Sequence, residues 1–432
     1  MLRVNLASAR PGMTLAMPIF HPTLPGHTLL RPGFTLDELT IARLTELHVG
    51  SIWIRYPALA NVLKYVSPTI AFEHAAVTHL LGRLLDSARL GNGAGTAEMD
   101  FHIYAGAVRS LVGKLVAEPN AAILIGDLLC ATSPLALHSG NVCFMSLLMG
   151  LKLDAYLIEE RRRVSARAAR AVESLGLGAL LHDVGIERLA PGVRRRWLEG
   201  LSEDDPAWRE HVRLGFDLVR GKVEPSAAAV VLHHHQRFDG SGYPAVRGIP
   251  ARPLIGSEIH VFARICAVAD RFDALRNPVR GSFAEQHRTP VVRVLRSLLT
   301  EARSGAIDPV VFKALLHAAP AYAPGTIVRL NTGQTAVVER FTPSSPCRPV
   351  VRHVRYIGAD MEVSDENLGD TWDLCERRDL WVIEAEGHDI ERDNFEAATP
   401  DEFDLRVLHP PQRAAPGRVA RRVHPSLSRT TR

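Results

Sequence analysis

The feature that most constrains the fold is a long block of helical periodicity in the middle of the chain. From Ala71 to Leu90 apolar residues recur at spacings of three and four, which is typical of an amphipathic helix. The same patterning continues to about His317. Further helices are predicted at Met99–Leu115, Ala121–Cys130, Leu135–Leu151, Ile158–Leu181, Pro206–Val219, Pro225–His235, Ile259–Leu275 and Pro290–Glu301. A helical bundle of this kind builds its sites from side chains on facing helices.

The two ends of the chain have a different pattern. From Val4 to Tyr56 short apolar runs alternate with Pro and Gly, which predicts strands and turns around one short helix near Leu36–Leu47. After Pro324 the sequence alternates as in strands, around a turn at Asn331–Gly333. We therefore predict a mainly α protein in four parts. These are a small α+β domain (residues 1–66), the helical domain (67–320), a small β domain (321–388), and an acidic linker with a basic disordered tail (389–432).

Composition excludes several classes of protein. A chain of 432 residues with 46% apolar and 23% charged residues suits two or three globular domains rather than a disordered or fibrous chain. The formal charge is +4, but residues 409–432 hold six Arg and no Asp or Glu, so +4 minus 6 leaves about −2 for the remainder. A near-neutral body argues against binding of polymeric nucleic acid, which requires a basic surface.

Cysteine usage and hydropathy indicate where the protein resides. Five Cys without a CxxC pair predict neither a disulfide framework nor a thiolate zinc site. The longest apolar runs, such as Cys143–Gly150, are shorter than the roughly 20 residues that a membrane span needs. Near the start, Arg10 and Pro11 stand where a signal peptide would be apolar. We expect no membrane span and a cytoplasmic location.

Side chains that can ligate metals are concentrated in the helical block. The chain has 19 His, and those on or near predicted helices, together with nearby carboxylates, are His138, the pair His182-Asp183, His211, the run His233–His235, and Asp270. Neutral imidazole and carboxylate suit first-row divalent metals. A carboxylate can also bridge two ions about 3.5–4 Å apart, as in two-metal hydrolases.

Each of these signals also has a structural interpretation. A single helical His, such as His138 or His211, is more often satisfied by local hydrogen bonds than bound to a metal. The run His233–His235 is harder to explain by packing, because adjacent helix positions point in different directions and a core gains nothing from such polarity. A second pair, His388-Asp389, lies in an acidic stretch without a neighbouring His. We expect this second pair to lie on the surface without a function.

Four segments of the helical block together resemble a known family. In order they read LLHDVGIERLAP, LSEDDPAWREHVRLG, HHQRFDGSGYP and VFARICAVADRFDAL. They resemble the motifs of the HD-GYP domain, a branch of the HD phosphohydrolases, and the resemblance covers Leu135 to His317. It implies a metal-dependent phosphodiesterase of bacterial second-messenger signalling that hydrolyses cyclic di-GMP to linear pGpG, GMP or both. The flanking domains resemble those often attached to such proteins and would serve for protein partners.

The resemblance also implies a role for each motif residue. It implies seven metal ligands: His138, His182, Asp183, His211, His234, His235 and Asp270. These would hold two divalent first-row ions, for which iron or manganese is expected. Asp183 would bridge the ions, and His182, Asp183 and Asp270 would be catalytic. Some members bind a third ion through a Glu one turn before the first His, but Pro134 occupies that position here.

Substrate contacts are implied for Gly242, Tyr243, Asp273 and Arg280. The tight turn that contains Gly242 and Tyr243 would lie beside the metals. His233 is one residue outside the motif and is expected to be near the site or exposed rather than a ligand.

The chain departs from the family pattern at three positions. Ile186 stands where the family has a Lys, Gln236 where it has a Glu, and Asn277 where it has one of two basic residues. Arg280 retains the other basic residue, and Arg276 is a candidate substitute. Loss of one phosphate contact weakens transition-state stabilisation by about 2–4 kcal/mol. We therefore expect slow turnover, and a gain in rate on Ile186→Lys.

Three functions remain open at the level of sequence. The complete ligand set favours an enzyme in which a metal-bridged water attacks the phosphodiester. Ile186 and Asn277 instead favour a degenerate domain that binds cyclic di-GMP or a partner protein as a sensor. A third interpretation is an HD phosphohydrolase acting on another nucleotide, which the Gly-Tyr-Pro segment makes less favourable.

Overall fold

The computed structural model describes residues 1–408 except 22–26, 48, 91–99, 121–132, 200–203, 247, 249, 279–287 and 355–367. The helix predicted at Ala121–Cys130, the candidate Arg280 and the predicted disordered tail lie outside the described residues. The described part is mainly helical, with a small antiparallel sheet towards the C-terminus, as the sequence predicts.

The N-terminal region combines short strands with one helix. Strand β1 (Leu2–Asn5) pairs antiparallel with β4 (Ser51–Ile54), in a register that places Leu2 opposite Ile54. Strands β2 (Ile19–Phe20) and β3 (Thr28–Leu30) form a second antiparallel pair. Helix α1 (Glu38–Glu46) begins at Asp37, whose side chain accepts a hydrogen bond from the Thr40 backbone N–H.

The helical domain contains thirteen helices among the described residues. They are α2 (Pro68–Leu90), α3 (Phe101–Ala117), α4 (Pro134–Lys152), α5 (Asp154–Glu160), α6 (Ala166–Arg170), α7 (Glu173–Leu181), α8 (Pro191–Leu198), α9 (Pro206–Arg209), α10 (His211–Val219), α11 (Pro225–His233), α12 (Val261–Arg276), α13 (Val291–Ser304) and α14 (Pro309–Ala318). Several begin with Pro, whose missing N–H has no partner in a first turn and whose fixed φ suits a helix.

The single helix predicted at Ile158–Leu181 is wrong. The structure divides this segment among α5, α6 and α7, with breaks after Glu160 and Arg170. At the first break the Arg161 guanidinium donates to the carbonyl oxygens of Ala168 and Ala169, at 2.9 and 2.7 Å, which turns the chain back. The two breaks together allow α7 to enter the core, where every residue from Leu175 to Leu181 is buried.

Helix α4 is the centre of the bundle and packs against α2, α7, α12 and α14. By length and composition alone it is apolar enough to cross a membrane, but 72% of its most apolar window is buried inside the protein. It also presents His138 to the interior. Its hydropathy is therefore accounted for by contacts with the surrounding helices.

The C-terminal region forms a six-stranded antiparallel sheet in the order β10-β9-β5-β6-β7-β8. The strands are β5 (Ile327–Leu330), β6 (Thr335–Arg340), β7 (Val350–Val354), β8 (Leu368–Asp373), β9 (Val382–Ala385) and β10 (His388–Asp389). Strands β5 and β6 form a hairpin at the predicted turn, where Gly333 adopts a positive φ of 81°. One continuous hydrophobic cluster joins the sheet, the helices and the N-terminal strands, and the domain boundaries stay sequence predictions.

The segment predicted to begin an acidic linker at residue 389 packs on the helical domain at residues 390–408. Ile390, Phe395 and Phe403 are buried, and the ring of Phe403 packs edge-on against Phe312 of α14. The Lys313 ammonium, also on α14, donates to backbone carbonyls in this segment. The segment has enough apolar side chains to pack on the helices, despite its acidic composition.

Candidate metal centre

The seven predicted metal ligands lie together at one place in the helical domain. They form two groups, in each of which the candidate ligand atoms lie within 4.8 Å of one another. The first group is Asp183, His211, His234 and His235, and the second is His138, His182 and Asp270. The positions extend from α4 to α12, so the fold brings together side chains that are far apart in sequence.

Most of these residues lie at helix ends. His182 and Asp183 directly follow α7, His211 is the first residue of α10, and His234 and His235 directly follow α11. Only His138 and Asp270 lie within helices, α4 and α12 respectively. The ends of three helices therefore point at a site whose other wall is formed by two central helices.

Asp183 is at the centre of the arrangement. Its Oδ1 lies 3.3 Å from His211 Nε2 and 3.6 Å from His234 Nε2. Its Oδ2 lies 3.4 Å from His182 Nε2 and 3.7 Å from His138 Nε2. Each carboxylate oxygen thus faces a different group of ligands, which is the geometry that a bridging carboxylate requires.

Backbone hydrogen bonds orient three of the imidazoles in the same way. His182, His211 and His234 each place Nδ1 next to the carbonyl oxygen three residues earlier, at 2.8, 2.7 and 3.0 Å. In a neutral imidazole, the proton that Nδ1 donates leaves Nε2 as the inward-facing atom with a lone pair for a metal. Metal-binding His residues commonly use such an outer hydrogen bond to select the tautomer.

Asp273 orients the fourth imidazole, and its predicted role as a substrate contact stays a prediction. Its Oδ2 accepts a 2.7 Å hydrogen bond from His138 Nδ1. Its Oδ1 accepts from the side-chain amides of Asn141 and Asn277, each at 2.9 Å. The carboxylate thus accepts three hydrogen bonds behind His138, and Asn277, a departure from the family pattern, donates one of them.

The electrostatics of the site favour the protonation states that bind metals. Burial raises the pKa of Asp183, but the imidazoles of His182, His234 and His211 outweigh this effect and hold it well below its usual range. The pKa of Asp270 is also lowered, because His138 and His235 outweigh burial. Burial lowers the pKa of His211 to about 4. At neutral pH these groups are therefore ionised carboxylates and a neutral imidazole.

The donor atoms fit a bound divalent metal. His182 Nε2, Asp183 Oδ1 and His235 Nε2 are buried and make no hydrogen bond within the described structure. A buried polar atom without a hydrogen bond costs about 1–3 kcal/mol. Imidazole nitrogens and carboxylate oxygens are ligands for first-row divalent ions, so metal coordination would satisfy these atoms.

Two glycines allow the motifs to approach one another. A Cβ on Gly185 would collide with the carbonyl oxygen of His211 and the backbone of Gly215, so this glycine lets α10 lie against the chain that carries Asp183. A Cβ on Gly242 would collide with the backbone of His235 and Arg237. Both glycines therefore have a packing role that no side chain could replace.

The Gly-Tyr-Pro turn supports His235. The Tyr243 ring stacks on the imidazole of His235, with ring centroids 4.7 Å apart, and the Tyr243 N–H donates to the His235 carbonyl. Gln236 holds the turn, because its amide donates to Pro244 O and accepts from Leu254 N. These contacts give Gly242 and Tyr243 a supporting role; their substrate contacts stay predictions.

Among the described residues, the position of the family's Lys and the candidate substitute Arg276 are both engaged elsewhere. Ile186 is only 2% exposed and belongs to the hydrophobic core. The guanidinium of Arg276, the candidate substitute, makes two hydrogen bonds, of 2.6 and 2.9 Å, to Glu386 in the C-terminal region. The structure does not describe Arg280.

Three other arginines, which the sequence analysis missed, line a cleft of about 240 Å³ beside His235 and Asp270. They are Arg209, Arg237 and Arg271. Each lies within two residues of a predicted ligand, and this proximity is the signal that could have identified them.

The remaining candidates lie outside the two ligand groups. His233 is partly buried, and burial together with His234 lowers its pKa to about 4. His388-Asp389 forms β10 of the sheet, and Asp389 is exposed. Neither His233 nor His388 belongs to a potential metal group among the described residues.

Comparison with known proteins identifies relatives of the helical domain. Residues 158–311 match the HD domain family, a range that contains every predicted ligand except His138. The chain is 25% identical over 364 residues to a cyclic di-GMP phosphodiesterase of Pseudomonas aeruginosa, an alignment that covers 76% of this chain and 80% of that protein.

The comparison also found a curated relative and a solved structure. The chain is 34% identical over 124 residues to a cyclic di-GMP phosphodiesterase response regulator of Xanthomonas campestris, covering 28% of this chain and 30% of that protein. Among solved structures, a HDG"Y"P protein from Bdellovibrio bacteriovorus shares 14% sequence identity, with a TM-score of 0.40. That match covers 73% of this chain and 97% of the other.

Proposed function

We propose that this chain, whose helical domain belongs to the HD-GYP family of phosphohydrolases, hydrolyses cyclic di-GMP. The observation that carries the proposal is the placement of Asp183, with one carboxylate oxygen facing each of two ligand groups. The names of the Pseudomonas and Xanthomonas relatives support the choice of substrate. A cytoplasmic location is part of the same proposal.

The proposed cofactor is a pair of divalent first-row ions, with iron or manganese as candidates. His138, His182 and Asp270 would hold one ion, and His211, His234 and His235 would hold the other, with Asp183 shared between them. When bound, the ions would lower the pKa of a water and stabilise charge on the phosphoryl oxygens. Pro134, the first residue of α4, offers no side-chain oxygen for a third ion.

The protein's own contribution is to hold this ligand set in position. The backbone carbonyls of Ala179, Trp208 and Val231 keep three Nε2 atoms directed inward, and Asp273 does the same for His138. Because these hydrogen bonds fix the orientation of the imidazoles, little reorganisation is needed when charge develops on the substrate.

The proposed product is linear pGpG, GMP or both. Opening the ring of cyclic di-GMP leaves a second phosphodiester bond of the same chemical type. The same site could therefore accept the first product as a substrate. A time course that resolves both products would separate the two steps.

A sensor without catalysis is the second candidate, and one observation favours it. A buried Ile186 stands where the family has a phosphate-binding Lys, and the guanidinium of Arg276 is hydrogen-bonded to Glu386. In such a protein, cyclic di-GMP or a partner protein would bind the helical domain, and the flanking regions would transmit the signal.

The deciding experiment is purification of the full chain without chelator, followed by metal analysis and anaerobic assays of cyclic di-GMP hydrolysis with Fe(II) and with Mn(II). We expect two ions per chain and slow turnover. Cyclic di-GMP binding without turnover at full metal occupancy would favour the sensor. Faster hydrolysis of another nucleotide in parallel assays would favour the third interpretation, a different HD phosphohydrolase.

A further inference from the structure

We propose that Arg209, Arg237 and Arg271 bind the phosphodiester of the substrate and provide the positive charge that Ile186 lacks. This inference rests on the proposed function, because it concerns the substrate of the same site. The three arginines come from α9, from the loop after α11 and from α12, and all line one cleft. Three separate elements therefore direct cations towards the space beside the metal ligands.

The cleft is continuous with the proposed metal centre. The same cavity is lined by His234 and His235, predicted ligands of one ion, and by Asp270, a predicted ligand of the other. A phosphate in this cleft would lie beside the ligands of both metal groups and beside the arginines. Guanidinium groups suit this position because their planar arrangement of donors matches phosphate oxygens.

Glu301 holds two of the arginines in place. Arg271 Nε lies 3.1 Å from Glu301 Oε1, and Arg237 Nη2 lies 3.6 Å from Glu301 Oε2. One carboxylate thus faces two guanidinium groups, and these side chains remain 37% and 38% exposed. These three side chains together carry a net charge of +1, which an anionic phosphodiester would balance. The other carboxylates that line the cleft are Asp204, which pairs with Arg209, and Asp270, a predicted metal ligand.

Arg209 is attached to the same wall in another way. Its guanidinium lies 4.8 Å from the centre of the Tyr243 ring, which itself stacks on His235. It also pairs with Asp204, but that carboxylate is 89% exposed. An exposed ion pair contributes about 0–1 kcal/mol, so a substrate phosphate can compete with it.

The size of the cleft indicates which part of the substrate it recognises. Pockets for drug-sized ligands usually measure about 300–1,000 Å³. The cleft, at about 240 Å³, is smaller, so it suits a phosphodiester and its adjoining sugar rather than a complete dinucleotide. The arginines should therefore recognise phosphate, with little dependence on the base.

The test compares Arg271→Ala, Arg237→Ala and Arg209→Ala with the wild type in the metal-reconstituted full chain. Arg213→Ala is the matched control, because Arg213 is exposed on α10 and does not line the cleft. The measurements are bound metal, kcat and KM for cyclic di-GMP and for bis(4-nitrophenyl) phosphate, and the dissociation constants of GMP and cyclic di-GMP by calorimetry.

We expect Arg271→Ala and Arg237→Ala to raise KM and the GMP dissociation constant by about tenfold or more, as for loss of a charged hydrogen bond. Arg209→Ala should have a smaller effect in the same direction. Metal content should not change, and the effect should be similar for both phosphodiesters. Arg213→Ala should match the wild type.

The outcomes separate this inference from the proposed function. If the wild type hydrolyses the synthetic diester but not cyclic di-GMP, the proposed function fails, while a raised KM in the arginine variants still supports the inference. If the wild type hydrolyses neither diester, weaker binding of GMP and cyclic di-GMP by the arginine variants still supports the inference. Unchanged KM and binding, loss of metal in the variants, or no binding by the wild type would overturn it.

Discussion

The chain contains two His-Asp pairs, and the structure places them in opposite surroundings. His182-Asp183 is buried where α7 ends, and imidazoles from α4, α10 and the end of α11 surround its carboxylate. His388-Asp389 forms β10, where His388 pairs with Ala385 across a tight hairpin and Asp389 is exposed. The dipeptide is the same in both places, so its chemistry must come from what the fold brings near it.

The contacts of the two carboxylates show the difference. Asp183 lies within 3.7 Å of four imidazole nitrogens, and these neighbours lower its pKa despite burial. The Asp389 carboxylate accepts a 3.1 Å hydrogen bond from the Glu391 backbone N–H at the surface. Burial makes the charge of Asp183 costly unless cations or metals compensate it, whereas water solvates Asp389.

The largest expected effect is that of Asp183→Ala. Removal of the shared carboxylate should empty both metal positions and reduce phosphodiesterase activity to background. Chelation should lower the melting temperature of the wild type, because a ligand bound only to the native state stabilises it, but should not lower that of the variant. Asp389→Ala is the matched control, and a variant at Asp183 that retains two ions would contradict the shared-ligand interpretation.

Gly185→Ala should break the packing that positions the buried pair. The added Cβ would collide with the His211 carbonyl and the backbone of Gly215, so we expect a loss of about 1–3 kcal/mol in the free energy of unfolding. At Gly192, on α8, a Cβ would meet no atom within 4 Å, so Gly192→Ala should be neutral or slightly stabilising. Denaturant unfolding of both variants provides the measurement, and equal stability would argue against the close approach.

Ile186→Lys should lower stability by about 2 kcal/mol, because an ammonium group would have to enter the core or displace its neighbours. This replaces the gain in rate that the sequence alone favoured. Leu198→Lys is the control, since Leu198 is 46% exposed on α8. An unchanged melting temperature together with faster hydrolysis would restore the sequence-based expectation.

Asp273→Ala should weaken metal binding by about 10- to 100-fold without removing a ligand, as is typical for loss of an outer hydrogen bond to a metal-binding His. Asp273→Asn should retain part of the affinity, because the amide oxygen can still accept from His138. Metal titration separates the two variants. If Asp273 instead bound substrate, KM would change at constant metal affinity.

The smallest effect is expected for His388→Ala. His388 belongs to neither potential metal group of the described residues, so metal content and phosphodiesterase activity should match the wild type. Loss of bound metal in this variant would show that the comparison between the two pairs is mistaken.

The sequence by itself determined the helical character of the central domain, the hairpin at Asn331–Gly333 and the set of ligand-type residues. Periodicity and turn chemistry are local, so they can be read along the chain. The ligand residues could be recognised because their types and order resemble a known motif set. Their roles at the metals stay predictions, although the structure brings all seven together.

Only the tertiary structure decided which residues surround these ligands and what they do. The hydrogen bonds of Asp273 to His138, of Arg276 to Glu386, and of Arg271 to Glu301 join residues 30 to 135 positions apart. No local pattern reveals such pairs, because they depend on how helices pack. Helix packing also decides that Ile186 and the pair His182-Asp183 are buried while Asp389 is exposed. The surroundings of each side chain then set the free-energy cost of placing a charge there.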